Sequence, residues 1–144
     1  MKVIDLNILL YAVNADAAQH VRARDWWQDA INAEDVAIGL PWVVLLGFVR
    51  LSTNPRVFPR PLSPEAAMAK IDVWLGRDNV RIVREKDDHW DRLKSLLATT
   101  GTAANLTTDA HLAALAISHD AVLVSTDTDF ARFGGLKLEN PFRR

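Results

Sequence analysis

The chain has 144 residues, 49% of them apolar and 24% charged, with 17 basic and 18 acidic side chains for a net charge of −1. That length and balance fit one globular domain with a substantial core and exclude a disordered chain, and near-neutrality excludes the bulk basicity of a protein that coats nucleic acid. There are no cysteines, which excludes disulfides and thiolate metal sites.

Strand and helix patterns alternate along the chain. Val3-Ile4 reads as a short buried strand running straight into Asp5. The apolar run Ile8-Leu9-Leu10-Tyr11-Ala12-Val13 follows two polar residues, Asp5 and Asn7, and is too short to span a bilayer. No small-residue cleavage site comes after it, so neither a signal peptide nor a membrane span is expected and the chain reads as cytoplasmic. Residues from about His20 to Asn32 form a helical pattern, with Val21, Trp26, Trp27, Ala30 and Ile31 apolar. Val36-Ala37-Ile38 is the second strand. Pro41 suits the first position of a helix, and Trp42 to Leu51 is apolar nearly all round, as in a buried helix. Asn54-Pro55 ends it, and Val57-Phe58-Pro59-Arg60-Pro61 is a rigid connector. Ser63 as N-cap, Pro64 in the first turn and Glu65 at the positive helix end open a helix that runs to Leu75 and stops at Gly76. Val80–Val83 alternates like a strand. Asp88 to Thr100 is a helix carrying Trp90, Leu93, Leu96 and Leu97, Asp109 to His119 a buried one. Val122-Leu123-Val124 is the next strand, and Leu136-Lys137-Leu138 a short edge strand. Alternation of this kind predicts an α/β domain with a mostly parallel sheet.

Carboxylates cluster where such a sheet binds ligands. Asp5 follows the first strand, Asp127 and Asp129 follow Val122–Val124, and Asp109 lies at an expected helix start. Ligands of open parallel sheets bind outside the carboxyl ends of the strands. Acids gathered there suit a hard divalent cation, one or a pair, beside a phosphodiester and a nucleophilic water. Packed together without a cation they would repel, and at least one pKa should rise. The plainer alternative is that each Asp caps a helix or turn. Asn7 either orients Asp5 or caps the helix near Ile8, and Ser125 and Thr126 either support the site or satisfy backbone. Arg50, Arg56 and Arg60 flank the Pro-rich connector and are candidate RNA contacts. His20, His89, His111 and His119 lack zinc-type spacing and read as surface or helix-packing residues. The five tryptophans read as core or subunit interface.

Four landmarks in order, Val3-Ile4-Asp5-Leu6-Asn7, the stretch Phe48–Phe58, Thr108–Ala116 and Ser125–Phe130, resemble PIN-domain proteins, specifically VapC-type toxins of type II toxin–antitoxin pairs. The resemblance covers the whole chain as a single domain, 1–144. It implies an α/β/α sandwich around a mostly parallel sheet, a homodimer, and Mg²⁺- or Mn²⁺-dependent endoribonuclease activity blocked by a cognate antitoxin. By the same resemblance Asp5, Asp109 and Asp127 match the metal-holding acids and Asp129 an accessory acid, with Asn7 and Ser125 or Thr126 as polar supports. One position departs: a Glu commonly precedes the Phe-Val-Arg stretch, and here Gly47 stands there, with no acid anywhere from Val36 to Arg60. Either the aspartates suffice, or the metal site is weakened, or the chain binds RNA and antitoxin but cuts poorly. A nuclease acting on DNA is a further alternative.

Overall fold

The computed structural model describes residues 1–143. Among these, β1 (Lys2–Ile4), β2 (Ile38–Pro41), β3 (Val80–Val83), β4 (Val122–Val124) and β5 (Lys137–Glu139) form one sheet in the order β3-β2-β1-β4-β5, with every neighbouring pair parallel. The helices are α1 (Leu6–Val13), α2 (His20–Asn32), α3 (Trp42–Ser52), α4 (Pro64–Leu75), α5 (His89–Thr100) and α6 (Leu106–Ser118), and a 3-10 turn spans Thr128–Arg132.

Chain order and strand order together fix the layers. From β1 the chain steps to β2 through α1 and α2, then to β3 through α3 and α4, always in one direction. From β3 it crosses back over β2 and β1 to β4 through α5 and α6. Crossovers between parallel strands are right-handed, so reversing direction puts the second helix group on the opposite face. Accordingly α1 packs on α2 and α3, α3 on α4, and α5 on α6. The result is the expected α/β/α sandwich, and the reversal occurs between β1 and β4, which are neighbours in register from Lys2↔Val122 to Ile4↔Val124.

Val3, Ile4, Leu123 and Val124 are fully buried between the helix layers, and each such side chain contributes about 1.5–3 kcal/mol relative to exposure. Trp74 of α4 meets Trp27 of α2 edge-on at 5.5 Å and Phe48 of α3 at 4.9 Å. On the other face α6 presents Ala110, Ala113, Ala114 and Ala116, all with no exposed surface, so that its backbone lies close to the sheet.

Several element ends differ from the sequence expectation. β2 lies two residues later than expected, and Pro41 is its last residue (φ −72°, ψ 154°) rather than the first of α3. Asn79 explains the shift. Its side-chain amide donates to the carbonyls of Ala30, Ala33 and Val36 at 2.9–3.0 Å, which ties residues 33–36 into the end of α2. α6 begins three residues before Asp109, after Asn105, so Asp109 lies inside the first helical turn and caps nothing. Of the tryptophans, Trp27 and Trp74 are in the core while Trp42 and Trp90 are exposed. Among the described residues no helix is long and apolar enough to cross a membrane.

Candidate functional site

At the reversal point the ends of β1 and β4 open into a cleft of about 600 Å³, lined by Asp5, Asn7, Thr108, Asp109 and Asp127 on one side. Asp5 sits there because its backbone N–H still pairs with Val124 of β4 (2.9 Å) while its side chain caps α1, accepting from the Leu6 N–H at 2.7 Å. Its second oxygen accepts from the Ser125 hydroxyl at 2.7 Å. Ser125, itself buried, accepts in turn from the Asp127 N–H at 3.0 Å. One hydroxyl thus links the two strand ends that bring acids to the cleft. Asp127 caps the 3-10 turn, accepting from the Asp129 N–H at 2.9 Å. Asn7 is inside α1 and donates to the Thr126 hydroxyl at 3.0 Å, so it braces the site and does not cap the helix; its Oδ1 is buried without a partner among the described residues.

The capping reading therefore holds for Asp5 and Asp127 and fails for Asp109. A cap does not exhaust a carboxylate, which has about four acceptor positions. Side-chain oxygens of Asp109, Asp127 and Asp129 lie within 4.8 Å of one another. Oxygens on one octahedral Mg²⁺ are about 3–4 Å apart, given its bond length of about 2.1 Å, so small rotations of these side chains suit a single ion. The electrostatics fit as well. Burial, and then the charges of Asp127, Asp5 and Asp129, push the Asp109 carboxyl up to about 6. Burial also raises Asp5, against the lowering effect of its bonds from Ser125 and Leu6. Arg132 approaches Asp129 at 3.8 Å, with both side chains about half exposed. An acid group frustrated in this way is what a divalent cation would relieve.

The rest of the lining is apolar, with Leu6 and Leu10 of α1, Val43 and Leu46 of α3 and Leu112 of α6, and α3 also brings Arg50 and Gly47 to it. Of the three arginines considered as RNA contacts, Arg50 alone lines this cleft. Arg60 is held by Asp16 at 3.1 Å, and the Arg56 backbone N–H is bonded to the Asn54 side chain. Two features escaped the sequence. Thr108 lines the cleft, a role nothing in its sequence setting signals. His89 and His111, 22 residues apart, meet at 2.8 Å and tie α5 to α6, with Glu85 3.4 Å from the other His111 nitrogen; helix packing was the right reading for both.

Comparison with known proteins agrees with this geometry. The PIN domain family matches residues 2–136. Ribonuclease VapC37 of Mycobacterium tuberculosis is 45% identical over 141 residues, covering 98% of this chain and 97% of the relative. Ribonuclease VapC33 of the same species is 45% identical over 143 residues, covering 99% of each. In fold, the chain superposes on a VapBC2 crystal structure from Rickettsia felis with a TM-score of 0.70 at 22% identity, covering 96% of this chain and 97% of that one. VapC20 of Mycobacterium tuberculosis, described as a sarcin–ricin loop cleaving toxin, gives a TM-score of 0.68 at 18% identity, covering 95% and 99%. With the family model spanning nearly the whole length and full-length relatives at this identity, the chain belongs to the PIN-domain family, among its VapC ribonucleases.

Proposed function

We propose that this chain, a single PIN domain over residues 1–144, is a cytoplasmic, metal-dependent endoribonuclease and the toxin of a toxin–antitoxin pair. The observation that carries the reading is the convergence of Asp5, Asp109, Asp127 and Asp129 at the sheet's reversal point, where Asp109 is pushed up to about 6 with no basic group among the causes. Mg²⁺, with Mn²⁺ as a substitute, would be held by Asp5, Asp109 and Asp127 as the family resemblance implies, with Asp129, whose oxygen lies within 4.8 Å of those of Asp109 and Asp127, as a further ligand. When bound, such an ion polarises a phosphoryl oxygen and acidifies a water. Ser125 holds Asp5 and the Asp127 backbone in place, and Asn7 and Thr126 brace the turn after β4. Water oxygen adds to phosphorus, the P–O3′ bond breaks, and the products are a 3′-hydroxyl and a 5′-phosphate. The substrate class is structured RNA, tRNA or rRNA, with Arg50 placed to meet its backbone. A cognate antitoxin covers the cleft, and the chain forms a homodimer.

The test is cleavage of total tRNA and rRNA by purified, antitoxin-free protein with Mg²⁺ or Mn²⁺, with EDTA, and with Asp5→Asn. Metal-dependent cutting abolished by Asp5→Asn supports the reading, and matched DNA substrates separate it from a DNA nuclease. One observation favours a second reading, a binding module that cuts poorly: α3 offers Gly47 where the family resemblance expects Glu. RNA retained on the folded protein without cutting under any metal condition would favour that alternative.

A further inference from the structure

The wall facing the aspartates is chemically one-sided. Val43, Val44, Leu46, Gly47, Arg50 and Leu51 form it, and residues 36–60 contain no Asp or Glu. At Gly47 a Cβ would lie 2.7 Å from Leu6 Cδ2, the movable end of that side chain. Three carboxylates spaced for one ion thus face hydrocarbon and a single cation. Asp109, Asp127 and Asp129 are the acids whose oxygens lie close enough to share one ion, and the α3 side chains add no carboxylate to them.

Arg50 is the cation. It lies one helical turn beyond Gly47, its side chain is exposed, and among the described residues it forms no ion pair, whereas Arg60 is held by Asp16 and Arg132 by Asp129. It lines the same cleft as Asp109 and Asp127, reaching it from α3 and not from the strand ends and α6 that carry the acids. A metal-bearing carboxylate cluster on one side and an uncommitted guanidinium on the other leave between them a place for an anion, and a phosphodiester is the anion a nuclease must hold there.

We propose that Arg50 is a catalytic residue that donates to a non-bridging oxygen of the scissile phosphate, and that the chain holds one divalent ion, with Arg50 supplying the second positive charge. As the water oxygen bonds to phosphorus and gives up a proton to solvent, the electron pair of the breaking P–O3′ bond leaves with O3′, and Arg50 would offset negative charge on the non-bridging oxygens beside the ion that the aspartates would hold. The leaving O3′ takes a proton from solvent. This inference rests on the nuclease reading and assigns a role within it.

Two measurements test it on the full-length, antitoxin-free protein. Mn²⁺ titration followed by electron paramagnetic resonance should count one ion per chain in the wild type, and Arg50→Ala should bind it within about threefold of the wild-type affinity, since the arginine is not a ligand. Two ions per chain would overturn the proposal. In cleavage of total tRNA and rRNA, Arg50→Ala should lower kcat by about 10²–10³-fold, the usual effect of removing one preorganised donor to a developing oxyanion. KM should change far less, and Arg50→Lys should recover part of the rate. Arg50→Ala cutting as fast as wild type, or a loss confined to KM, would overturn the catalytic role while leaving the nuclease reading intact. Wild type that cuts nothing under any metal condition would sink both.

Discussion

Replacing Asp109 by Asn should stabilise the metal-free protein, a reversal of the usual cost of mutating a half-buried polar residue. The Asp109 carboxyl rises from 3.8 to about 6 on folding. Two units correspond to a ceiling of about 3 kcal/mol, and solvent screening of a half-exposed group brings this to about 1–2 kcal/mol. Against it stands the loss of a carboxylate in the first turn of α6, where the helix dipole favours negative charge by about 0.3–1 kcal/mol. Burial and then repulsion outweigh the dipole, and the net gain of about 1 kcal/mol raises Tm by roughly 2–4 °C for a chain of this size. The sign follows from proton binding. Between pH 3.8 and about 6 the folded chain holds more protons at Asp109 than the unfolded chain, so stability falls as pH rises through that window. The gain should therefore be complete at pH 7.5 and absent near pH 4. Calorimetry in EDTA at both pH values, repeated with Mn²⁺, reads this out. With Mn²⁺ the wild type gains stability by mass action and the variant gains less. A Tm for Asp109→Asn equal to or below wild type at pH 7.5 in EDTA would refute the reasoning.

Ser125→Ala leaves Asp5 and the Asp127 N–H without their shared hydroxyl in a buried position, and urea denaturation should show a loss of about 1–3 kcal/mol; a loss below about 0.5 kcal/mol would mean the link between strand ends carries no energy. Gly47→Glu adds a carboxylate to the α3 wall, and the 2.7 Å approach is to the flexible end of Leu6, which has the freedom to swing aside. Mn²⁺ affinity by calorimetry should rise, and an unchanged or weaker value counts against the cleft geometry. Asn79→Ala deprives three carbonyls of their donor and should cost about 2–3 kcal/mol, read as a lower urea midpoint at unchanged slope. Trp74→Ala empties the aromatic contact between α2, α3 and α4 and should cost about 3–5 kcal/mol; a smaller loss by the same titration would show that the helices close over the gap.

The layers and most of the site were legible because strand endings are short-range information. Val3-Ile4-Asp5 and Val122–Asp127 each show a buried run turning polar at the point where a parallel sheet exposes its carboxyl edge. The structure brings Asp109 beside Asp127 and Asp129, but its local setting was misread: Thr107-Thr108-Asp109 looks like a cap, and the helix instead starts at Leu106, whose side chain is buried at 7% exposure. The α3 wall was misjudged for a related reason. A helix apolar all round reads as buried, and pattern alone does not say that Trp42 and Leu46 face outward. Asn79 and the His89–His111 contact depend on partners tens of residues away, which no window along the chain contains.

The site's residues are also spread in time. β1 is the middle strand of the sheet yet the first made, and it waits for β4, 120 positions later in register (Lys2 against Val122). At a synthesis rate of about 5–20 residues per second, Asp127 follows Asp5 out of the ribosome by roughly 6–24 s. For that interval the nascent chain lacks both the strand that completes its centre and the acids that complete its cleft. A nuclease built this way cannot act on the RNA around its own ribosome until β4 and the acids that follow it have been made.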